Sequence, residues 1–550
     1  MTLVAIVAAI LLLIHWVAPR AAEHFFGFVE VIFAKTGGRP LLAFALLFFG
    51  VLAVRIALLP LLPVPVPGIH DEFSYLLMSD TFAHGRLANP THPMWRSFET
   101  FHVNWFPTYS SMYPPAQGAV LALGQVLGSP WIGVLLSSGA MCATIYWMLC
   151  AWMPARWAFL GGALAALKLG FTSYWMNSYW GGAVAAIGGS LVLGALARIF
   201  KRANLRDALL LGLGIAILAN SRPYEGLVFC LPAAFLFLRW LWKKSHSAGD
   251  DIPWTRVLIP LTLVLFLTFT FMGYYNWRLT GNALLFPHTL NERNYESVPN
   301  FVWEKPQPEK HYNNDRFEEF YNVWEREEYA RGWGKFREIS NTKTTRLASA
   351  FLWQGLVLVL PGLFPALRDK KFRVFWVALL CITVSVYAVV WSNAHYAAPA
   401  TCLIFALITL SLRYLRTLGN KRFALGKALS RATVLLLVLD TSAAAIHHEC
   451  DPLQWTCTGD VSRTLVLQKL QAEPGKHLVM VRYNEDDLSV HDEWVYNSAD
   501  IDSSKIVWAR ELDKAQNEKL LQYFKDRKVW LATTDDEHLV FRPYEISEDK

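Results

Sequence analysis

Charge is scarce in this chain. Only 17% of the 550 residues are charged, while 54% are hydrophobic; a soluble globular chain carries about 25% charge, so a soluble multidomain protein is disfavoured at once. Seven cysteines include no C-x-x-C pair, which removes the usual paired-thiolate zinc arrangement. The stretches read below as outer contain no Asn-x-Ser/Thr sequon, an absence that leans away from a eukaryotic lumenal protein and toward a bacterial inner membrane. No glycine-rich phosphate loop occurs in the tail, so that region is not read as a chemical centre. Nor does any soluble stretch combine a basic face with interleaved aromatics, and the net charge of +7 therefore does not point to nucleic acid.

What the chain has instead is long apolar runs. They cover 2–18, 22–34, 41–62, 131–150, 157–171, 182–199, 208–220, 225–242, 255–275, 347–366, 374–391, 397–413 and 432–448. A bilayer crossing takes about 20 mostly apolar residues, and backbone inside hydrocarbon must bond to itself, so the runs read as helices. The second and seventh are short enough to be interfacial or re-entrant, which gives about 11–13 transmembrane helices. The first run has no basic stretch before it and reads as an anchor, not a cleaved signal.

Orientation follows from Lys and Arg. Lys35 and Arg39, Arg156, the set Lys201, Arg202 and Arg206, Lys243 and Lys244, the set Arg368, Lys370, Lys371 and Arg373, and finally Arg413 to Arg431 punctuate alternate connections. One alternating count places them all in the cytoplasm, while the short connections 172–181 and 392–396 carry neither residue. The same count puts residues 63–117, 220–225, 276–346 and everything after 449 on the opposite side. Five cysteines fall within apolar runs; Cys450 and Cys457 lie just beyond the last, where an oxidising compartment would allow a local disulfide. The division expected is an N-terminal hydrophobic anchor region at 1–35, a transmembrane domain at 36–449 and a soluble C-terminal domain at 450–550.

That tail reads as a small α/β domain. Residues 477–483 (HLVMVRY) form a buried-strand run, and 506–509, 529–533 and 539–542 are similar. Asp513 followed by Gln516 suits a helix start, and Leu520, Leu521 and Phe524 form one apolar stripe behind it. The pattern predicts a parallel strand–helix–strand crossover serving as a lid or acceptor platform.

Candidate chemistry concentrates in the outer connections. His70-Asp71-Glu72 follows the proline-rich exit from the helix at 41–62. Adjacent carboxylates raise each other's pKa unless compensated, so Asp71 and Glu72 suit either acid–base work or the first turn of a helix. The same loop carries Asp80, His84, His92, Glu99, His102 and Tyr113-Pro114-Pro115. His92 and His102 lack helical spacing for a metal. Arg222, at a helix end on the outer side, suits a phosphate or carboxylate, or an interfacial snorkel. His395-Tyr396 stands at the mouth of another helix pair, and Tyr174 to Trp180 offers ring-stacking surface or an aromatic belt. Arg55 and Lys168 lie toward the outer ends of their helices, where a lipid phosphate or snorkelling would occupy them.

Together these residues resemble the GT-C class of membrane glycosyltransferases, which includes protein O-mannosyltransferases and lipid A aminoarabinose transferases. Asp71-Glu72 matches the acidic motif of the first outer loop, and Tyr113-Pro114-Pro115 its Tyr-Pro element. Arg222-Pro223-Tyr224-Glu225-Gly226 is similar to an Arg-Pro-Glu-Gly element with Tyr224 inserted, and His395-Tyr396 with Pro399 to a late aromatic-Pro segment. The resemblance implies a polyprenyl-phosphate-linked sugar donor, an unassigned glycan, lipid or protein acceptor, and Asp71 as base. Arg222 would bind the departing phosphate, with Lys168 and His395 behind it; Glu72 would orient Asp71 or help hold a divalent metal ion. Glu99 and Asp80 both fit the second acidic position. The extra N-terminal helices and the α/β tail depart from the class. A transporter or flippase of lipid-linked saccharide would share the outer loops but show helix interruptions or repeats; a non-catalytic envelope assembly protein is the third reading.

Overall fold

The computed structural model describes residues 2–247, 252–334, 336–419, 424–447, 461–483, 493–534 and 539–545; Cys450, Cys457, Lys421 and Arg422 lie outside them. The membrane part is helical. It comprises α1 (Thr2–Val17), α2 (Pro19–Gly37), α3 (Pro40–Ala57), α4 (His70–Ala83), α5 (Pro115–Val126), α6 (Pro130–Trp152), α7 (Ala155–Leu169), α8 (Ala183–Lys201), α9 (Leu205–Ala219), α10 (Pro223–Ser245), α11 (Ile259–Thr280), α12 (Pro287–Asn294), α13 (Phe336–Phe351), α14 (Leu360–Arg368), α15 (Arg373–Ala388), α16 (Thr401–Leu415) and α17 (Leu425–Ile446). Proline opens α2, α3, α5, α6, α10 and α12, positions where its missing N–H costs nothing and its fixed φ favours the helix.

Eight helices among the described residues are long and apolar enough to cross a bilayer, or up to 10 if each of two bent pairs is one span. The difference from 11–13 has a geometric cause. The apolar runs at 157–171 and 208–220 fold as α7 and α9, each 15 residues, which rise only about 22 Å. The first two runs meet at 115°, and the run near 347–366 breaks into a pair bent by 87°. Hydropathy records that a run is buried; it does not distinguish lipid from protein as the burying medium.

The core lies among α6, α7, α8 and α16, where Cys142, Ile145, Leu164, Ala195 and Phe405 are fully buried. Close approach needs glycine: a Cβ on Gly189 of α8 would lie 2.1 Å from the Pro399 carbonyl oxygen. That contact seats the turn Ala394–Ala400, which carries His395, directly on the bundle.

The tail agrees with its pattern. Strands β3 (His477–Tyr483), β4 (Ile506–Arg510), β5 (Lys528–Thr534) and β6 (Val540–Pro543) form one sheet in the order β4-β3-β5-β6; a two-residue pair, β1 (Val103–Asn104) and β2 (Ser110–Ser111), lies earlier in the chain. β3 is parallel to β4 and β5, and β6 is antiparallel to β5. Helix α19 (Lys514–Tyr523), preceded by α18 (Val461–Ala472), supplies the crossover. Asp513 caps α19, its Oδ1 accepting the Gln516 N–H at 2.9 Å. The sheet docks on the loop that follows α3. Asp80 Oδ2 accepts the Ala499 N–H at 2.7 Å, the Tyr109 hydroxyl donates to Asn497 O at 3.1 Å, and Phe73 stacks on Tyr496 at 4.3 Å.

Candidate functional site

The first turn of α4 sets the centre. Ile69 stands before the helix in extended conformation, which makes Asp71 and Glu72 the second and third helical residues. Their side chains then diverge. Glu72 is fully buried, and its two oxygens accept backbone N–H groups from Gly68 (2.9 Å), Ile69 (3.4 Å) and Tyr179 (2.9 Å). It closes the helix start and ties it to the loop after α7. Burial pushes its carboxyl up to about 8, against the three hydrogen bonds and with a smaller push from Asp71.

Asp71 points the other way and keeps 16% side-chain exposure. Its Oδ1 accepts from the Tyr113 hydroxyl, which also lies 2.9 Å from His102 Nδ1. His102 Nδ1 is 3.7 Å from Asp71 Oδ1, and His70 Nε2 is 3.8 Å from Oδ2. His102 holds φ +59, a left-handed conformation uncommon for a residue with a side chain and frequent at functional sites. It is fixed there because its carbonyl accepts from Ser74 Oγ (2.7 Å) and Met112 N (3.2 Å). His70 is buried edge-on against Phe101, Phe320 and His102.

The opposite wall comes from other helices. Tyr75, one turn along α4 from Asp71, stacks on Tyr113 at 4.5 Å. Arg222 precedes α10 and places its guanidinium 4.3 Å from the centre of the Tyr396 ring. The Ala116 N–H donates to Asn220 O at 2.8 Å, which brings the segment carrying Tyr113 beside the one carrying Arg222, and the charges of Asp71 and Arg222 both bear on Tyr75 and Tyr396. His395 lies deeper, 1% exposed, its Nδ1 3.1 Å from the Tyr174 hydroxyl and its ring 4.6 Å from Trp180.

The fold therefore brings Asp71, Tyr113, Arg222, Tyr396 and, behind them, His395 together. Other expected residues stand elsewhere. Glu99 is 2% exposed and accepts from Tyr295 OH and Asn313 Nδ2, each at 3.0 Å; burial holds its carboxyl above the usual range. It joins the two long outer loops. Asp80 is occupied by Ala499 and by Gln125 Nε2 at 2.7 Å. Lys168 sits half-buried in the last turn of α7, and none of the contacts above includes it. His92 is not beside His102: it meets Asp502 of the tail at 3.1 Å.

Two expectations at the interface are overturned. Arg55 does not snorkel; it is fully buried, donating to Leu62 O (2.8 Å), Pro63 O (3.0 Å) and Asn177 Oδ1 (2.8 Å), with Trp131 4.9 Å away. Tyr174 to Trp180 is not an aromatic belt, since every residue of it is buried. The segment folds inward because Arg55 and Glu72 satisfy its polar groups. Sequence reasoning passed over Tyr75, His288 and Arg346. His288 Nδ1 pairs with Glu292 at 3.1 Å beside Arg222 and Glu225, and Arg346 Nη1 reaches Ser392 O and Asn393 Oδ1, each at 3.5 Å, next to His395. His288 and Glu292 stand at i,i+4 on α12, whereas the contacts of Arg346 have no local spacing behind them.

Among the described residues one group could hold a cation: the donor atoms of His70, Asp71 and His102 all lie within 4.8 Å of one another. Two imidazoles and a carboxylate suit a zinc-like ion, which takes ligands at about 2.0–2.2 Å.

No family model and no curated protein sequence matches the chain. Among solved structures it is similar to ArnT from Cupriavidus metallidurans bound to undecaprenyl phosphate. The two are 13% identical, with 88% of this chain and 93% of that chain covered and a TM-score of 0.51. It is also similar to the oligosaccharyltransferase AglB from Archaeoglobus fulgidus, solved with an inhibitory peptide and a dolichol-phosphate, at 10% identity, 88% and 69% coverage and a TM-score of 0.46. Since the likeness to ArnT extends over most of both chains, the protein has the fold of the GT-C membrane glycosyltransferases.

Proposed function

We propose that the protein is a glycosyltransferase that moves a sugar from a polyprenyl-phosphate-linked donor to an acceptor at the extracytoplasmic face of a bacterial inner membrane. One observation carries this reading: Asp71, held by Tyr113, and Arg222, over the Tyr396 ring, come from distant segments that meet where the Ala116 N–H donates to Asn220 O at 2.8 Å. A base and a phosphate-binding cation on either side of one space are what glycosyl transfer from a lipid phosphate requires.

In this reading an acceptor hydroxyl attacks the anomeric carbon and gives its proton to the Asp71 carboxylate. The new glycosidic C–O bond forms as the bond from that carbon to the phosphate oxygen breaks, and the phosphate leaves with the electron pair. Arg222 binds the charge that develops there. Its planar guanidinium, stacked on Tyr396, is pre-oriented for two phosphate oxygens. The Tyr113 hydroxyl fixes the Asp71 rotamer, and Glu72 fixes the backbone that carries it. His395 and Tyr396 line the wall, with Lys168 a more distant cation, while Glu99 holds the second outer loop over the centre. Residues 1–35 act as the anchor region, 36–449 as the catalytic membrane domain, and 450–550 as a platform for an acceptor still to be identified.

A second reading is favoured by the His70–Asp71–His102 grouping. A divalent ion held by those three residues would supply charge to the donor phosphate, and Asp71 would then be a ligand whose basicity toward the acceptor proton the cation lowers. Metal analysis of the purified protein separates the two: one equivalent of zinc or manganese in the wild type and none in His102→Ala supports the metal reading. The transferase assignment itself is tested with purified wild type and Asp71→Asn in liposomes, offered a panel of undecaprenyl-phosphate sugars with envelope lipid extract as acceptor. Release of undecaprenyl phosphate by the wild type, reduced about 100-fold or more in the variant, supports it; equal release by both removes Asp71 from the chemistry.

A further inference from the structure

Helix α2 has 19 residues, enough to rise about 28 Å and cross a bilayer core. Its contacts show that it does not. Near its start, Glu23 accepts from Lys427 Nζ (3.2 Å) and Arg431 Nη1 (3.0 Å). One to two turns on, Glu30 takes a two-pronged contact from Arg416 (2.8 and 2.8 Å) and a third from Arg431 Nε (3.0 Å). Arg416 lies just past the end of α16 remote from His395, and Lys427 and Arg431 lie in the opening turns of α17. At its other end, the Gly37 carbonyl accepts from the Tyr146 hydroxyl (3.1 Å), and a Cβ on Gly37 would lie 2.9 Å from the Ala155 carbonyl oxygen. Ala155 opens α7, whose far end leads into the loop beside the candidate site. Both ends of α2 are thus fixed at the membrane face opposite Asp71, and the 115° bend after α1 lays the helix along it.

Its residues divide into three sectors at helical spacing. Ala22, Phe26, Glu30, Phe33 and Gly37 face the protein and are buried or half-buried. Phe25, Phe28, Val29 and Ile32 form an apolar stripe, 67%, 68%, 42% and 47% exposed. Arg20, His24 and Lys35 are exposed on a third stripe. Exposed apolar residues also stand on the neighbouring helices, Leu13 and Val17 at the end of α1 and Leu41 and Phe44 at the start of α3.

We infer that α2 is an in-plane interfacial helix, its Phe25–Phe28–Ile32 stripe seated among the acyl chains of the leaflet opposite the candidate site and its Arg20–His24–Lys35 stripe at the headgroups. A basic stripe beside an apolar one is the pattern of helices that lie in a membrane surface, and basic side chains on that stripe favour anionic lipid. Arg431, bonded to both acids two turns apart on one face, clamps the helix to the bundle so that its depth is set by the protein.

Genetically encoded spin labels at positions 24, 25, 28, 32 and 35, all on exposed side chains, test this one at a time in the full chain. The protein is reconstituted in phosphatidylethanolamine–phosphatidylglycerol liposomes, and label access to oxygen is compared with access to a water-soluble nickel chelate. The expected result is oxygen-dominated access at 25, 28 and 32, all at one shallow depth, alternating with chelate-dominated access at 24 and 35. Depth increasing steadily from 24 to 35 would mean a spanning helix and overturn the inference. So would 25, 28 and 32 being shielded from both reagents, which would put protein on the stripe.

Discussion

Glu72→Gln is the substitution whose consequence is best defined by the structure. The carboxyl group accepts three backbone N–H groups on two oxygens, and when protonated its hydroxyl oxygen still keeps a lone pair to accept with. A glutamine amide offers one oxygen, so its NH₂ must face either the Gly68–Ile69 pair or Tyr179, leaving a buried donor unpaired at a cost of about 1–3 kcal/mol. Against this, the wild-type carboxyl is pushed from 4.5 to about 8 by burial, an interval worth roughly 5 kcal/mol. The folded-state value is raised above the unfolded one, so its contribution is full below about 4.5 and is lost as pH rises through about 8. Glutamine does not titrate. The variant should therefore unfold at a lower temperature than wild type near pH 6, and the gap should close or reverse by pH 9. Apparent unfolding temperatures from intrinsic tryptophan fluorescence in detergent, at a fixed scan rate, measure this. A gap that stays constant from pH 5.5 to 9 would show that Glu72 does not titrate there and refute the burial argument.

Three further substitutions probe the centre and its support. Tyr113→Phe removes the hydroxyl that holds the Asp71 rotamer, so kcat should fall about 10- to 100-fold with KM for the donor little changed, and an unchanged kcat would separate Tyr113 from Asp71. Arg222→Lys keeps the charge but loses the planar, ring-stacked fork, so kcat/KM for the donor should fall about 10- to 100-fold, roughly 1.4–2.7 kcal/mol, with unfolding temperature unchanged. Arg55→Met strands Leu62 O and Asn177 Oδ1, two buried acceptors, and leaves the part-buried Pro63 O to solvent, and should cost roughly 2 kcal/mol or more, seen as a lower unfolding temperature and loss of folded yield. Wild-type yield in that variant would show that the aromatic loop does not depend on Arg55.

Local pattern carried much of the architecture. The strand runs at 477–483, 506–509, 529–533 and 539–542 and the Asp513 cap are features of period and neighbour identity, and all four strands formed near those bounds. Apolar runs gave helices; α7 and α9 among them fold as 15-residue helices, α9 keeping Leu205, Leu209 and Leu213 exposed on one side. Within the candidate site, Asp71 and Arg222 were visible as charges at helix starts on one side of the membrane. The inward fold of Tyr174 to Trp180 was not visible, since it depends on Arg55 and Glu72, more than a hundred residues away. The same holds for His102, which reads as a separate loop histidine until its left-handed turn and the Tyr113 hydroxyl bring it to Asp71 and His70.

The most direct test of the central claim compares envelope glycans and lipid-linked sugars by mass spectrometry in cells making wild-type protein or Asp71→Asn at equal membrane levels. Loss of one sugar substituent from the envelope, with build-up of its polyprenyl-phosphate donor, is the predicted result. An unchanged glycan and donor profile in the Asp71→Asn cells would contradict it.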